Sequence, residues 1–232
     1  MREIVLDTET TGFEPAEGHR LVEIGAVELI NHVPTGRTYH QYINPERSMP
    51  AEAFAVHGLG DDFLRDKPRF SEVAQAFLDF IGAEARLVIH NASFDMKFLN
   101  AELSWARMPE IPMDRALDTL AIARRRFPGS PATLDALCRR FAIDNSAREK
   151  HGALLDSELL AEVYLELTGG RQPDFALTAA PERGGPNPVE PTWRPAPRTA
   201  PLVRRITEAE LEAHRAFVST LGEGAIWHRF SD

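Results

Sequence analysis

Cysteine is almost missing from this chain, with Cys138 the single example in 232 residues. An internal disulfide is therefore excluded, and a reducing, cytoplasmic home is expected. Within "LDALCRRF" the thiol falls on a helical stripe and is expected to pack. Long hydrophobic runs are missing as well. No segment approaches the roughly 18 consecutive apolar residues a membrane span needs, and the opening "MREIVLDTETTG" meets charge at once, so neither export nor membrane insertion is expected. No repeat of about 20 to 50 residues is visible, which sets solenoids and propellers aside. Positive charge is in deficit, because 26 Lys and Arg face 35 Asp and Glu for a formal net charge of -9. That argues against a surface that coats nucleic acid broadly. A small site in which bound cations neutralise local carboxylates stays open.

Proline is plentiful but unevenly placed. Gln172 to Pro201 holds eight of the 17 prolines and no sustained apolar period, the composition of an extended, semi-rigid linker. The length fits one domain with an appendage: a domain over 1–170, a linker over 171–202 and a tail over 203–232. In the tail, Thr207 and Glu210 form a capping box with Ile206 and Leu211 as its staple, and Gly222 is the expected stop. Leu211, Phe217, Val218 and Leu221 share one side of that helix, and Trp227 follows. Thirty residues cannot bury so much apolar surface alone. The tail either folds back on its own domain or docks on another protein, and a long spacer favours docking.

Residues 1–170 alternate short strand-like runs with longer helical ones, an α/β pattern. "EIVLD", "RLVEIGAVEL" and "RTYHQYI" follow one another without a helix, so part of the sheet is expected to be antiparallel; "RLVIH" runs straight into a helix. Helices are expected to begin near Ser71, Ser93, Thr133 and Ala153.

Three acidic segments interrupt this scaffold. In "LDTETTG" the strand is expected to close at Leu6; Asp7 and Glu9 project from one side of an extended chain and Thr8 from the other, with Gly12 allowing a sharp turn. Paired like charges call for a cation between them, although a solvated strand end would look the same. In "VIHNASFDMKFL" Asp95 falls in a helix's first turn, where the helix dipole alone favours a carboxylate. Both segments follow strand ends, where open α/β sheets gather their sites. In "KHGALLDSELLAEVYLELTGG" His151 and Asp156 would diverge by about 140° on one helix. His151 must therefore sit off the helix, with Gly152 expected to supply the loosened backbone.

"DTETTG", "HNASFD" and "H-x4-D", in this order, resemble the three motifs of the DEDDh exonucleases, a ribonuclease H-like family named for four acidic residues and a histidine. Within that family, "AVHGL", "TLDALC", "KHGALLDSELLAEVYLELTGG" and the tail "EAELEAHRAF" resemble the proofreading exonucleases of bacterial replicative DNA polymerases. The resemblance implies a ribonuclease H-like domain and two divalent metal ions, magnesium or manganese. Asp7 would bridge both ions, Glu9 and Asp156 would hold the one that activates water, and Asp95 would support the one beside the leaving 3'-oxygen. Two such ions stabilise both the attacking and the leaving oxygen of a phosphodiester hydrolysis. His151 would take the water's proton, a role suited to imidazole near neutral pH. The substrate would be DNA with a single-stranded or frayed 3' end. Asp7, Glu9, Thr10, His57, Asn91, Phe94 and Asp156 would touch its terminal nucleotide, although an aromatic at the position of Phe94 more often packs in the core. The tail would bind the polymerase subunit, and Gln172, Phe175 and Leu177 in "QPDFAL" resemble the short motifs that plug into a sliding clamp. An RNA-trimming relative such as ribonuclease T or oligoribonuclease shares the motifs and lacks the linker and tail; a noncatalytic scaffold fits an intact set of five poorly.

Overall fold

A computed structural model describes residues 1–146, 150–169, 206–222 and 226–227. The expected linker, including Gln172, Phe175 and Leu177, lies outside the described residues. The chain divides into two units, Met1–Ala176 and Leu177–Asp232. In the first, β1 (Arg2–Thr10), β2 (Leu21–Ile30), β3 (Val33–Tyr42), β4 (Arg86–Ile89) and β5 (Ala116–Asp118) form one sheet in the order β3-β2-β1-β4-β5. The three successive strands β1, β2 and β3 pair antiparallel, whereas β1–β4 and β4–β5 are parallel. The sheet is mixed, as the absence of a helix among the first three runs implies.

Helices α1 (Ala51–His57), α2 (Asp61–Leu64), α3 (Phe70–Ile81), α4 (Ala92–Trp105), α5 (Thr119–Arg126), α6 (Leu134–Phe141) and α7 (Ala153–Leu167) complete this unit. Strand alternation divides the core into two layers. Ile4, Leu6, Ile24 and Leu87 pack with Phe70, Phe77 and Phe98 of α3 and α4. Val5, Val27 and Val88, from the other face, pack with Leu160 and Tyr164 of α7. Beyond α7, Leu159, Val163 and Leu167 meet Ala123, Leu137 and Cys138 of α5 and α6, so the single thiol is core. Four helices begin where the apolar period and capping residues place them. Helices α1, α2 and α5 and strand β5 bury too few side chains to show a period. Strand β1 also runs past its expected end at Leu6, because β2 supplies ladder partners as far as Thr10.

Two contacts fix the helices that flank β1. On α4, buried Glu102 accepts both Arg20 Nε and Nη2, at 2.7 and 2.8 Å, and the Leu21 N–H at 3.2 Å. On the other face, α7 begins directly against β2: a Cβ at Gly25 would lie 2.1 Å from the backbone of Ala153 and Leu154. The buried Ser157 hydroxyl is 2.9 Å from the Gly25 carbonyl and 2.7 Å from that of Ala153.

The second unit holds α8 (Glu208–Thr220). Its capping box is formed: Thr207 Oγ1 accepts from the Glu210 N–H, and the Glu210 carboxylate accepts from the Thr207 N–H. Gly222 follows in the left-handed region, with φ of 73°. Phe217, Leu221 and Trp227 are exposed, Leu211 is half-buried and Val218 buried. Among the described residues, no helix is long and apolar enough to cross a membrane.

Gly25→Ala should destabilise the chain by about 1–3 kcal/mol, the usual cost of an inserted methyl in a packed interior. A urea unfolding midpoint equal to that of the unmodified chain would show that α7 can move away from β2 freely.

Candidate active site

The site follows from an asymmetry in how β1 is paired. Strand β2 accompanies it to Thr10, but β4 meets it only at Glu3, Ile4 and Val5. Past Val5 a cleft of about 780 Å³ opens on the unpaired side, lined among others by Asp7, Glu9, Asn91, Phe94, Asp95, His151 and Asp156. All five members of the acidic and histidine set thus face one cavity. The alternation that turns Val5 toward α7 turns Asp7 and Glu9 the same way, toward Asp156.

Glu9, His151 and Asp156 each present one potential ligand atom, all within 4.8 Å of one another. Asp156 is buried in the first turn of α7, and its Oδ2 lies 3.4 Å from Nδ1 of the half-exposed His151. His151 precedes the helix, where its own N–H donates to the Val56 carbonyl at the end of α1, at 3.3 Å. Gly152 differs from expectation. Its φ of -153° and ψ of 121° are ordinary extended backbone, and a Cβ there would meet nothing within 4 Å. The bond to Val56, not glycine's freedom, holds His151 off the helix. Gly12 likewise adopts no left-handed φ; a Cβ there would lie 2.3 Å from the His19 ring, so close packing is what requires glycine.

Asp95 reaches the cleft from the opposite face. It is buried, and Thr8, the residue between the two strand carboxylates, donates to its Oδ1 at 2.7 Å. Burial pushes the Asp95 pKa up to about 7; the Thr8 hydrogen bond opposes this rise and Asp118 adds to it. Asn91, just before α4, holds φ of 66° and ψ of 52°, a left-handed conformation that asparagine tolerates better than most residues. Its N–H donates to Asp118 Oδ1 at 3.0 Å, and the same oxygen caps α5 through the Leu120 N–H.

A second cavity of about 410 Å³ adjoins the first through Thr8, Glu9 and Phe94, and is lined by Thr10, Phe13, Val56 and His57. Thr10 spends its hydroxyl on the Gly12 carbonyl at 2.6 Å. His57 is buried, and its Nδ1 accepts the Leu59 N–H at 3.0 Å, which leaves the proton of the neutral ring on Nε2. Burial holds its pKa below the usual histidine value, with His151 and Lys150 adding to the drop and the Thr10 backbone opposing it. Phe94 is partly buried against the core and also lines both cavities, so packing and exposure to a ligand coexist in one ring.

A family model described as Exonuclease matches residues 4–164. The chain is 50% identical over 224 residues to a DNA polymerase III subunit epsilon from Rickettsia felis, covering 95% of this chain and 97% of that one. It is 46% identical over 241 residues to the Escherichia coli K12 protein of the same name, covering 97% of each. The chain belongs to the exonuclease family, in its polymerase III epsilon branch. It is a 3'-5' exonuclease. Its fold is shared with the nuclease domain of 3'hExo, a DEDDh family member solved with bound rAMP, at a TM-score of 0.63 and 20% identity over 72% of this chain and 91% of that one. The sheet and its flanking helices are thus the ribonuclease H-like arrangement.

Sequence reasoning passed over Thr8 and His90. Thr8 points away from the carboxylate pair, and that direction brings it to Asp95. His90, at the end of β4, lines the cleft and pairs with Thr119 Oγ1 at 3.0 Å; its place beside "NASFD" was the available signal.

The Asp95 shift has a sign that can be measured. Its folded pKa stands above the ordinary 3.8, so its contribution to stability is present below about pH 4 and lost as pH rises through about 7. In chelator, Asp95→Asn should therefore gain stability over the unmodified chain at about pH 8 and show little gain at about pH 5. Parallel urea-unfolding curves at both pH values would refute the assignment.

Proposed function

We propose that this exonuclease proofreads for a bacterial replicative DNA polymerase, removing mismatched 3'-terminal nucleotides. The observation that supports this best is the convergence of Asp7, Glu9, Asp95, His151 and Asp156 on one cleft beside a more apolar cavity. A carboxylate set this dense repels itself, and hard oxygen donors at such spacing fit divalent cations. Asp7, Glu9, Asp95 and Asp156 would hold two of them, magnesium or manganese, to stabilise the charge that develops on phosphate oxygens during hydrolysis. His151 accepts the proton of the attacking water. Water adds to phosphorus, the bond to the upstream 3'-oxygen breaks, and a nucleoside 5'-monophosphate leaves.

The terminal base enters the second cavity, where Val56, His57, Phe94 and Phe13 offer apolar and aromatic surface. The neutral His57 there can donate through Nε2, and Asn91 borders the phosphate side. A cavity that admits one unpaired nucleotide favours frayed ends, and a mismatch lowers the cost of fraying.

The second unit provides the assembly function. Phe217 is exposed on a helix that is capped at both ends, with Leu221 at its C-cap and Trp227 beyond it also exposed, an apolar surface suited to a partner. The occupant is the polymerase III alpha subunit, reached through the Pro-rich tether, with the sliding clamp taking Gln172, Phe175 and Leu177. The match to epsilon relatives along 95–97% of the chain supports a role for the tail as well as for the nuclease domain.

Asp7→Ala should abolish metal-dependent nucleotide release from a labelled DNA primer, and chelation should do the same to the unmodified chain; equal or faster release from RNA would move the substrate assignment. His151→Ala should lower kcat by about 10²- to 10⁴-fold, as expected for loss of a general base. Retention of full turnover by either variant would break the assignment of that residue.

A chain ended at Gly170 should keep nuclease activity on free single-stranded DNA while losing both partners, whereas replacing Gln172, Phe175 and Leu177 by alanine should cost the clamp alone. Co-elution of the shortened chain with the alpha subunit would place that interface on the nuclease domain.

A further inference from the structure

The last turn of α5 carries three consecutive arginines, Arg124, Arg125 and Arg126. Arg126 is committed to structure: its guanidinium donates to the Glu166 and Leu167 carbonyls at the end of α7, at 2.9 and 2.7 Å. Nearby Arg140 stacks on Phe127, 4.3 Å from the ring centroid. Arg124 behaves differently. It is exposed, forms no salt bridge among the described residues, and is the one Lys or Arg among them that lines the acidic cleft.

Its position within the cleft points to a ligand group. The cleft extends past the carboxylates to a wall formed by Leu120, Arg124, Ser130 and Thr133, residues the second cavity does not share. A strand whose terminal base fills the second cavity and whose scissile phosphate lies at the carboxylates must leave along that wall. Its next phosphate would otherwise pass Asp135, which also lines this part of the cleft. A guanidinium there matches a phosphate's charge and presents the fork of donors that binds it bidentately.

We propose that Arg124 is a substrate-binding residue that pairs with a backbone phosphate upstream of the scissile bond, and so makes the enzyme prefer a polynucleotide to a dinucleotide. This rests on the acidic cleft being the place of cleavage.

The test compares the full chain and its Arg124→Ala and Arg124→Lys variants on two substrates. One is thymidylyl-thymidine, whose single phosphodiester is the scissile one; the other is an oligothymidylate several nucleotides long. Arg124→Ala should lower kcat/KM for the oligonucleotide by about tenfold, mainly through KM, the ratio expected for one lost charge-assisted contact. The ratio of oligonucleotide to dinucleotide kcat/KM should fall with it. The logarithm of kcat/KM should also depend less steeply on the logarithm of salt concentration, by about 0.7 in slope, because one fewer single-strand phosphate is neutralised. Arg124→Lys should restore the salt slope. An equal loss on both substrates, or no loss on either, would overturn the proposal. Failure of the underlying reading would look different: Asp7→Ala would then still cleave both substrates.

Discussion

Strand β1 is paired along its whole length on one side and along only its first part on the other, and the site depends on that difference. Because β2 follows it to Thr10, the strand stays extended through Asp7, Thr8 and Glu9, and consecutive side chains keep their strict alternation. Because β4 leaves after Val5, the same residues border open space instead of another strand. A continuous ladder on both sides would fill the cleft. An early end to β1 would lose the geometry that sends two carboxylates one way and a hydroxyl the other. The chain thus uses one strand to address both faces of its sheet, with Asp156 approached from the α7 side and Asp95 through Thr8 from the α4 side.

Precision in such a site comes from the contacts behind it. Helix α4 is held by Glu102, which is buried and takes a two-point hydrogen bond from Arg20 together with the Leu21 N–H. That ties the helix bearing Asp95 to the start of β2. Helix α7 is held by contact between backbones at Gly25, where any side chain would push away the turn that bears Asp156. The His151 segment is in turn tied to α1 through Val56, and α1 also supplies His57 to the neighbouring cavity. The helices that bear Asp95 and Asp156 are therefore both referred to β2, and these two carboxylates inherit the rigidity of the sheet.

The legible parts of the sequence were those with a strong local period or a charge that needed explaining. Helices α3, α4, α6 and α7 announce themselves through apolar spacing and caps, and the three acidic segments stand out because like charges at a strand end or helix start are conspicuous. Helices α1 and α5 and strand β5 were not legible, since their form is set by what they pack against. The glycines were misread in an instructive way. Gly12 and Gly152 suggested unusual backbone angles, yet one makes room for His19 and the other adopts conventional extended backbone. Gly25, whose small size matters most, sits inside an apolar strand with nothing in its local sequence to mark it.

Electrostatics explains why these carboxylates coexist with a stable fold. Asp95 is buried with its pKa pushed up to about 7, so in the metal-free chain near neutrality it is shared between its protonated and charged forms. Its protonated form is compatible with the Thr8 hydroxyl as a donor to the other carboxyl oxygen. Asp7 is less deeply buried, whereas Glu9 and Asp156 are buried beside the half-exposed His151, whose Nδ1 lies 3.4 Å from Asp156 Oδ2. Cation binding would convert this graded arrangement into a fully ionised one, because a nearby divalent charge reverses the penalty that burial imposes on a carboxylate. The cost of gathering acids is then highest when the site is empty. It is offset by apolar layers on both faces of the sheet, against which the site's carboxylates stand at the end of β1 beyond Val5.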